Sequence, residues 1–371
     1  MTVALVNLLD QVCEGVQALR PYEPGKPVEE LERELGIQGA IKLASNENPL
    51  GPSEKVLSVL QDNLKELSRY PDGNGFYLKQ KLAAFHDVDT AGITLGNGSN
   101  DILEFIARAW LRPGREAVFF DYSFAVYPIV TQAVGANAVV VPVENWQQPL
   151  GKMRAAITDN TSVIFIANPN NPTGVWISTE QLKAFIASVP KHILIVIDEA
   201  YFEYVQESDY SSMLPLVSQH ENLVVTRTYS KAYGLAGLRI GYGISHADVA
   251  DRLNRVRQPF NVNLLALAAA EAALDDQAYI KQSVDLNTAG MKLLTQSFQQ
   301  RNLEFIPSVG NFISFNVGAD QDAMRVYQSL LRQGVIVRPM AAYRMASHLR
   351  VTIGTEAENK RFLAALAGAI D

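Results

Sequence analysis

The sequence predicts an α/β protein with two domains: a larger one built on a mostly parallel sheet of about seven strands, and a smaller α+β domain after it. Between about residues 50 and 245, short apolar runs rich in β-branched residues alternate with amphipathic segments of helical period. Such alternation is typical of a parallel sheet covered by helices on both faces. The 371 residues of the chain also exceed the usual size of one domain.

The predicted strands of the large domain are short and apolar. In chain order they are GITL (92–95), EAVFF (116–120), AVVVPV (138–143), VIFIA (163–167), ILIVID (193–198), LVVTR (223–227) and LRIGYGI (238–244). The segment SNDILEFIARAW (99–110) represents the helices between them, because its apolar residues recur every three or four positions.

The alternation stops at VRQPFNVN (256–263). Residues 264–301 are rich in Ala and Leu and predict a long helix that connects two domains. Beyond it, a helix at 320–333, a terminal helix and three further strands predict the small domain. These strands are FISFNV (312–317), VIVRP (335–339) and LRVTIG (349–354).

We therefore expect residues 51–263 to form the large domain and residues 264–371 the small one. The first 50 residues are too short and too rich in proline to fold alone. We expect them to pack with the small domain and a partner subunit.

Composition excludes several classes of protein. A net charge of -7 provides no basic surplus to neutralise phosphates, which disfavours nucleic acid as a generic partner. The single cysteine, Cys13, cannot form an intramolecular disulfide, and with five scattered histidines it gives no metal-ligand spacing. The N-terminus lacks the pattern of a signal peptide, and no apolar run approaches membrane-spanning length. We expect a cytoplasmic protein.

Chemically distinctive residues follow the predicted strands, at the edge where open parallel sheets bind ligands. GNGSND (96–101) follows one strand and opens a helix, so Ser99, Asn100 and the free N–H groups of that helix could hold a phosphate. A capped turn is an equally good interpretation, because Asp101 stands where the dinucleotide fingerprint has a third glycine.

Asp198 ends the strand ILIVID and invites comparison with a magnesium-binding strand of a nucleotide hydrolase. That class requires a GxxxxGK[ST] loop, which the chain lacks. The GxSxG signature of simple serine hydrolases is absent as well. The acid therefore needs a different partner.

Pyridoxal phosphate provides such a partner, since a carboxylate keeps its pyridine nitrogen protonated and makes the ring an electron sink. Lys231, in TYSKAYGLAGLRIG, would carry the cofactor aldehyde as a Schiff base. Ser230 and Arg239 could hold the phosphate. Tyr201 could bond the ring oxygen, and Tyr122, after the strand EAVFF, could stack on the ring or merely pack.

With these residues assembled, the chain resembles the fold type I pyridoxal-phosphate-dependent aminotransferases, and within them the histidinol-phosphate aminotransferase family. The resemblance covers nearly the whole chain. Its motifs, in order, are RPYEPGKP (20–27), LASNENPLGPS (43–53), RYPDGNG (69–75), LGNGSND (95–101), DYSFAVYP (121–128), NPNNPTG (168–174), DEAYFEY (198–204), TYSKAYGLAGLRIGY (228–242), VIVRP (335–339) and LRVTIGT (349–355).

The resemblance implies a role for each cofactor-binding residue. Lys231, Asp198 and Tyr201 are implied to be catalytic, with Lys231 as covalent anchor and general base. Asn171 joins Tyr201 at the ring oxygen, and Tyr122 stacks. The residues implied at the cofactor phosphate are Ser99, Asn100, Ser230 and Arg239, with Tyr70 reaching it from the second subunit of a homodimer.

The resemblance further implies a substrate, L-histidinol phosphate, with 2-oxoglutarate as amino acceptor in histidine biosynthesis. The residues it offers for substrate binding are Tyr22, Asn46, Arg338 and Arg350. Arg344 stands nearby, where relatives often have glycine, so the mouth of the pocket could differ. Aromatic amino acids fit similar pockets and remain an alternative, as does, less strongly, decarboxylation of the threonine-phosphate type. A non-catalytic regulator is disfavoured because no basic helix-turn-helix pattern precedes the sheet.

Overall fold

The computed structural model describes residues 8–22, 24–318 and 323–370. The N-terminal residues considered for a signal peptide lie partly outside this range (1–7), and so do residues 320–322 of the predicted helix. Three elements form the N-terminal segment: α1 (Glu14–Gln17), α2 (Val28–Leu35) and β1 (Ile41–Lys42).

The large domain carries the main sheet and the helices around it. Its elements are α3 (Glu54–Asn63), α4 (Phe76–His86), β2 (Ile93–Gly96), α5 (Ser99–Trp110), β3 (Glu116–Phe120), α6 (Val126–Ala133), β4 (Asn137–Val141), α7 (Leu150–Ala155), β5 (Thr161–Ala167), α8 (Thr179–Ser188), β6 (Leu194–Asp198), β7 (Leu223–Thr228), β8 (Gly241–Ser245) and α9 (Ala247–Val256).

The remaining helices and strands follow α9 in the chain. They are α10 (Leu264–Leu274), α11 (Gln277–Gln300), β9 (Phe312–Asn316), α12 (Ala323–Arg332), β10 (Val335–Ile336), β11 (Arg338–Pro339), β12 (His348–Thr352) and α13 (Glu356–Ile370).

The main sheet has seven strands in the order β2-β8-β7-β6-β5-β3-β4. All neighbouring pairs are parallel except those of β8, which runs antiparallel to β2 and β7. One apolar core lies on each face: Ile164, Ile195 and Val225 pack on one side, while Val163, Val196 and Val224 pack on the other. The predicted mostly parallel, seven-stranded sheet is confirmed.

Strand β8 begins three residues later than predicted. Residues Ala236–Leu238 form a 3-10 turn, and Arg239 has a left-handed backbone with φ of 57°. Because β8 is antiparallel, its first residues lie at the same sheet edge as the carboxyl ends of the parallel strands. The interruption therefore places Arg239 at the edge where the other candidate residues are found.

The predicted long helix is two helices. It breaks between Leu274 and Gln277, where the side chain of Asp276 caps α11 by accepting from the N–H of Tyr279. Helix α10 packs against α3 and its residues Ala266 and Leu274 belong to the core of the large sheet. The division of the chain at residue 263 stays a prediction.

The small domain has its own core around Phe298, Phe315 and Phe362. The predicted strand 335–339 is two short strands in different sheets: β10 pairs in parallel with β1, and β11 pairs with β12. Leu31 and Leu43 of the N-terminal segment pack in the same core. The N-terminal segment thus contributes side chains to this second core.

None of the helices in the described residues is long and apolar enough to cross a membrane.

A buried ion network stabilises the centre of the large domain. The Arg227 guanidinium on β7 pairs with Glu199 at 2.7 Å and with Glu203 at 3.3 Å, and all three side chains are buried. It also lies 3.6 Å from the ring centroid of Phe202. Removing one member of such a network leaves a buried charge uncompensated, which is costly.

We predict that Arg227→Met lowers the free energy of unfolding by about 3–5 kcal/mol, because Glu199 and Glu203 lose their counter-charge. The matched control is Arg252→Met, which breaks surface pairs with Asp248 and Asp251 and should change stability by about 0.5 kcal/mol or less. Chemical denaturation measures both. Equal losses in the two variants would contradict the assignment.

Candidate active site

A cavity of about 370 Å³ lies at the carboxyl edge of the main sheet, between the two domains. It brings together most of the residues expected from the sequence, although they lie far apart along the chain. Those that line it are Tyr22, Asn46, Ser99, Asn100, Asn171, Asp198, Tyr201, Ser230, Lys231, Arg239 and Arg350. Three expected residues, Tyr70, Tyr122 and Arg338, do not.

Lys231 presents a primary amine to this cavity from the loop after β7. Its Nζ donates a hydrogen bond to the carbonyl of Ser45 at 3.2 Å and lies 5.6 Å from the ring centroid of Tyr201. Burial, reinforced by the nearby positive charge of Arg350, lowers the pKa of Lys231 to about 7. A large fraction of this amine is therefore neutral near pH 7, and a neutral amine is a nucleophile and a base.

Asp198 supplies a buried carboxylate at the end of β6. It accepts hydrogen bonds from the hydroxyls of Thr226 at 2.9 Å and Tyr127 at 3.2 Å. Burial raises the pKa of Asp198 to about 6, even though both hydrogen bonds lower it. Above that pH the cavity contains a negative charge poised to pair with a protonated ring nitrogen of a ligand.

Close backbone approaches form an anion cradle at the start of α5. Gly98 has a φ of 86°, and a Cβ at this position would clash with Nη2 of Arg239. A Cβ on Gly241 would clash with the backbone nitrogen of Ser99. The Arg239 guanidinium also donates to Oγ of Ser230 at 3.3 Å. A helix N-terminus, an arginine and a serine hydroxyl thus converge, which favours a phosphate.

Arg350 reaches the cavity from β12 of the small domain. Its Nη1 donates to Oδ1 of Asn171 at 2.7 Å, and its Nη2 donates to the carbonyl of Ala44 at 3.0 Å. Its Nε is buried and has no hydrogen-bond partner among the described residues. This guanidinium retains capacity for an anionic ligand.

The structure does not support stacking by Tyr122 on a ligand near Lys231. Tyr122 has a left-handed backbone with φ of 50°, and its ring packs against Trp146 with centroids 5.3 Å apart. It lines a neighbouring cavity of about 590 Å³ instead. Phe124, two residues later in the same motif, lines the Lys231 cavity. The spacing of the motif alone does not indicate which of its aromatic rings faces the Lys231 cavity.

Arg338 and Tyr70 also lie outside the Lys231 cavity. Arg338 lines the neighbouring cavity, and its guanidinium lies 5.5 Å from the ring centroid of Tyr22, a residue that lines both. Tyr70 is 82% exposed and stacks on Phe260, with centroids 4.6 Å apart. Within the single chain, Tyr70 does not reach the residues around Lys231.

Sequence reasoning missed several residues of the site. Tyr127 and Thr226 hold Asp198, and Tyr343 lines both cavities. Tyr127 and Thr226 lie within motifs or strands that were singled out, but nothing in the sequence reveals their hydrogen bonds to Asp198. Arg344, noted at the pocket mouth, forms an ion pair with Asp121 of the large domain.

Comparison with known proteins identifies the family. The model of the family "Aminotransferase class I and II" matches residues 38–366. The chain belongs to this aminotransferase family. Histidinol-phosphate aminotransferase 2 of Pseudomonas fluorescens is 59% identical over 355 residues, which are 95% of each chain. Histidinol-phosphate aminotransferase 1 of Idiomarina loihiensis is 53% identical over 98% of this chain and 99% of the relative.

A solved structure agrees with this aminotransferase assignment. The crystal structure of histidinol-phosphate aminotransferase from Sinorhizobium meliloti in complex with pyridoxal-5'-phosphate aligns with a TM-score of 0.89 and 28% identity, covering 97% of each chain. The predicted fold class, that of the fold type I transferases, is confirmed.

We predict that the amine of Lys231 in the ligand-free aminotransferase is acylated by a small reagent such as acetic anhydride with a rate that is half-maximal near pH 7, the pKa set by burial. Arg350→Met should move the half-maximal rate to higher pH, because removing a nearby positive charge favours the protonated amine. Peptide mass spectrometry measures the modification. The control Arg108→Met, on an exposed helix face, should leave the profile unchanged, and an unmoved profile in Arg350→Met would refute the electrostatic account.

Proposed function

We propose that this chain is a pyridoxal-phosphate-dependent aminotransferase that transfers the amino group of L-histidinol phosphate to 2-oxoglutarate. The products are imidazole acetol phosphate and L-glutamate, in a step of histidine biosynthesis. The observation that carries the proposal is the single cavity in which Lys231, Asp198 and an anion cradle face one another. The names of the relatives at 59% and 53% identity support the choice of substrate.

The residues of the cavity fit pyridoxal phosphate. The cradle formed by Ser99, Ser230 and Arg239 suits its phosphate, and Gly98 and Gly241 permit it because a Cβ at either position would collide with Arg239 or with the backbone nitrogen of Ser99. Asp198 suits its pyridine nitrogen and Lys231 its aldehyde. Asn171 and Tyr201 would meet its ring oxygen, and Phe124 replaces Tyr122 as the aromatic ring that we assign beside it.

When bound, pyridoxal phosphate supplies an electron sink that stabilises negative charge at the α carbon of the substrate. Asp198 keeps the pyridine nitrogen protonated. Lys231 would hold the cofactor through its aldehyde, and its Nζ would accept a proton from the substrate α carbon and return it as general acid. A pKa near 7 suits this role, since the amine can both accept and return the proton at neutral pH.

We assign the substrate phosphate to Arg338, Arg350 and Tyr22. Arg338 and Arg350 are direct partners across the antiparallel strands β11 and β12. Their side chains therefore lie on one face of the small sheet. Two guanidinium groups suit a dianion, because each can form charge-assisted hydrogen bonds to its oxygens.

We also propose a cytoplasmic homodimer in which Tyr70 completes the site of the partner subunit. The exposure of Tyr70 supports this, as do the partly exposed ring of Phe260 on which it stacks and the exposed side chains of its sequence neighbours Leu64, Leu67, Phe76 and Tyr77. Exposed apolar residues grouped in this way are typical of a surface that pairs with another subunit.

Lys231→Ala should abolish turnover and the near-visible absorption of the bound cofactor, because no other amine lies in the cavity lining. Activity assays and absorbance spectra measure the two effects. Lys183→Ala, at the surface on α8, is the matched control and should retain both. A fully active Lys231→Ala enzyme would refute the proposal.

A comparison of kcat/KM for L-histidinol phosphate, phenylalanine and tyrosine, each with 2-oxoglutarate, tests the substrate. We expect L-histidinol phosphate to give the highest value, and Arg338→Met to lower it roughly tenfold or more through the loss of a charged hydrogen bond. Phenylalanine turnover should change less, since phenylalanine has no phosphate. Preference for phenylalanine by a wide margin would indicate an aromatic aminotransferase, and carbon dioxide release without 2-oxoglutarate would indicate a decarboxylase.

A further inference from the structure

Asn46 occupies a constrained position between the two domains. It is buried, with 1% of its surface exposed, and has a left-handed backbone with φ of 55°. Its backbone N–H donates to Oγ1 of Thr352 at 2.9 Å, and its carbonyl accepts from Nδ2 of Asn311 at 3.0 Å. Both partners belong to the small domain, so the backbone of Asn46 is fixed there.

The side-chain amide of Asn46 has a defined direction. Its Oδ1 accepts from the hydroxyl of Thr352 at 3.4 Å, and its Nδ2 donates to the hydroxyl oxygen of Tyr201 at 2.9 Å. In the reverse orientation, Thr352 would face two N–H donors, and its own hydroxyl hydrogen would lose Oδ1 as acceptor. The Thr352 hydroxyl therefore selects the orientation that turns the NH2 group toward Tyr201.

This direction determines what Tyr201 can do. Because its oxygen accepts from Asn46, its hydrogen is left for another acceptor, and Tyr201 lines the Lys231 cavity. Asn171 is constrained in the same way: its Oδ1 accepts from Arg350, which leaves its NH2 group as the donor facing the cavity. Two donors thus belong to residues that line the same cavity, and together they suit an anionic oxygen.

We propose that Asn46 is a positioning residue, oriented by Thr352, that fixes Tyr201 as a hydrogen-bond donor to the ring oxygen of the bound cofactor. This role differs from the substrate contact expected from the sequence, and it rests on the proposed function. It also makes the small domain part of the cofactor site, because Thr352 lies on β12 and does not line the cavity itself.

The relay predicts a spectroscopic effect. A hydrogen-bond donor stabilises the negative charge on the ring oxygen. The oxygen then attracts the proton of the neighbouring imine, which links Lys231 to the cofactor, less strongly. Loss of that donor raises the pH at which the imine loses its proton. The pH midpoint of the visible absorption band of the holoenzyme therefore reports whether Tyr201 donates.

The test is a double-mutant cycle on the holoenzyme with Thr352→Val and Tyr201→Phe, which keep the shape and charge of both side chains. We expect Thr352→Val to raise the midpoint by roughly 0.4 to 1 pH unit, the equivalent of one hydrogen bond. In the Tyr201→Phe background, the same change should shift it by less than about 0.2 unit, because the group through which Thr352 acts is gone.

Thr352→Ser retains the hydroxyl and should restore the wild-type midpoint, while Thr295→Val on α11 should leave it unchanged. No shift in Thr352→Val, or an equal shift in both backgrounds, would overturn the relay. These outcomes are distinct from failure of the proposed function, for which the wild-type protein with added pyridoxal phosphate would show no such band at all.

Discussion

The burial of one carboxylate constrains the site around it. Strand β6 lies inside the sheet between β5 and β7, so its last residue, Asp198, enters a place with little water. A buried carboxylate is costly unless it is hydrogen-bonded and paired with a positive charge. Thr226 and Tyr127 supply hydrogen bonds, and the raised pKa of Asp198 shows that they do not fully offset burial. A ligand with a protonated nitrogen would offset the remaining cost of burying the Asp198 carboxylate.

Backbone geometry at the same edge determines where the opposite end of the ligand lies. Gly98 and Gly241 allow the start of α5 and Arg239 to approach closely, and Arg239 itself has a left-handed backbone. Ser99 and Arg239 of the anion cradle line the same cavity as Asp198 and Lys231. Fold and chemistry are linked because the sheet brings the end of β6, which carries Asp198, beside the β7–β8 connection, which carries Lys231 and Arg239.

Much of this arrangement could be predicted from the sequence. Buried parallel strands have a strong apolar signature, so their order along the chain and the residues that follow them were identified, including Asp198 and Lys231. The directions in which individual side chains point were harder to predict. Tyr122 and Phe124 occur in one motif, and the left-handed backbone that turns Tyr122 toward Trp146 leaves no signal in the sequence. The contacts of Tyr127, Thr226 and Thr352 depend on tertiary packing and could not be predicted from spacing.

The small domain contributes a second electrostatic constraint. Arg338 and Arg350 are direct neighbours across two antiparallel strands, where like charges repel. Burial is the main cause that lowers the pKa of Arg350, and the nearby positive charge of Arg338 lowers it further. A phosphate carries close to two negative charges and can offset both guanidinium groups, whereas the single carboxylate of phenylalanine offsets only one. The pairing therefore favours a dianionic substrate over phenylalanine on electrostatic grounds, independently of the names of the relatives.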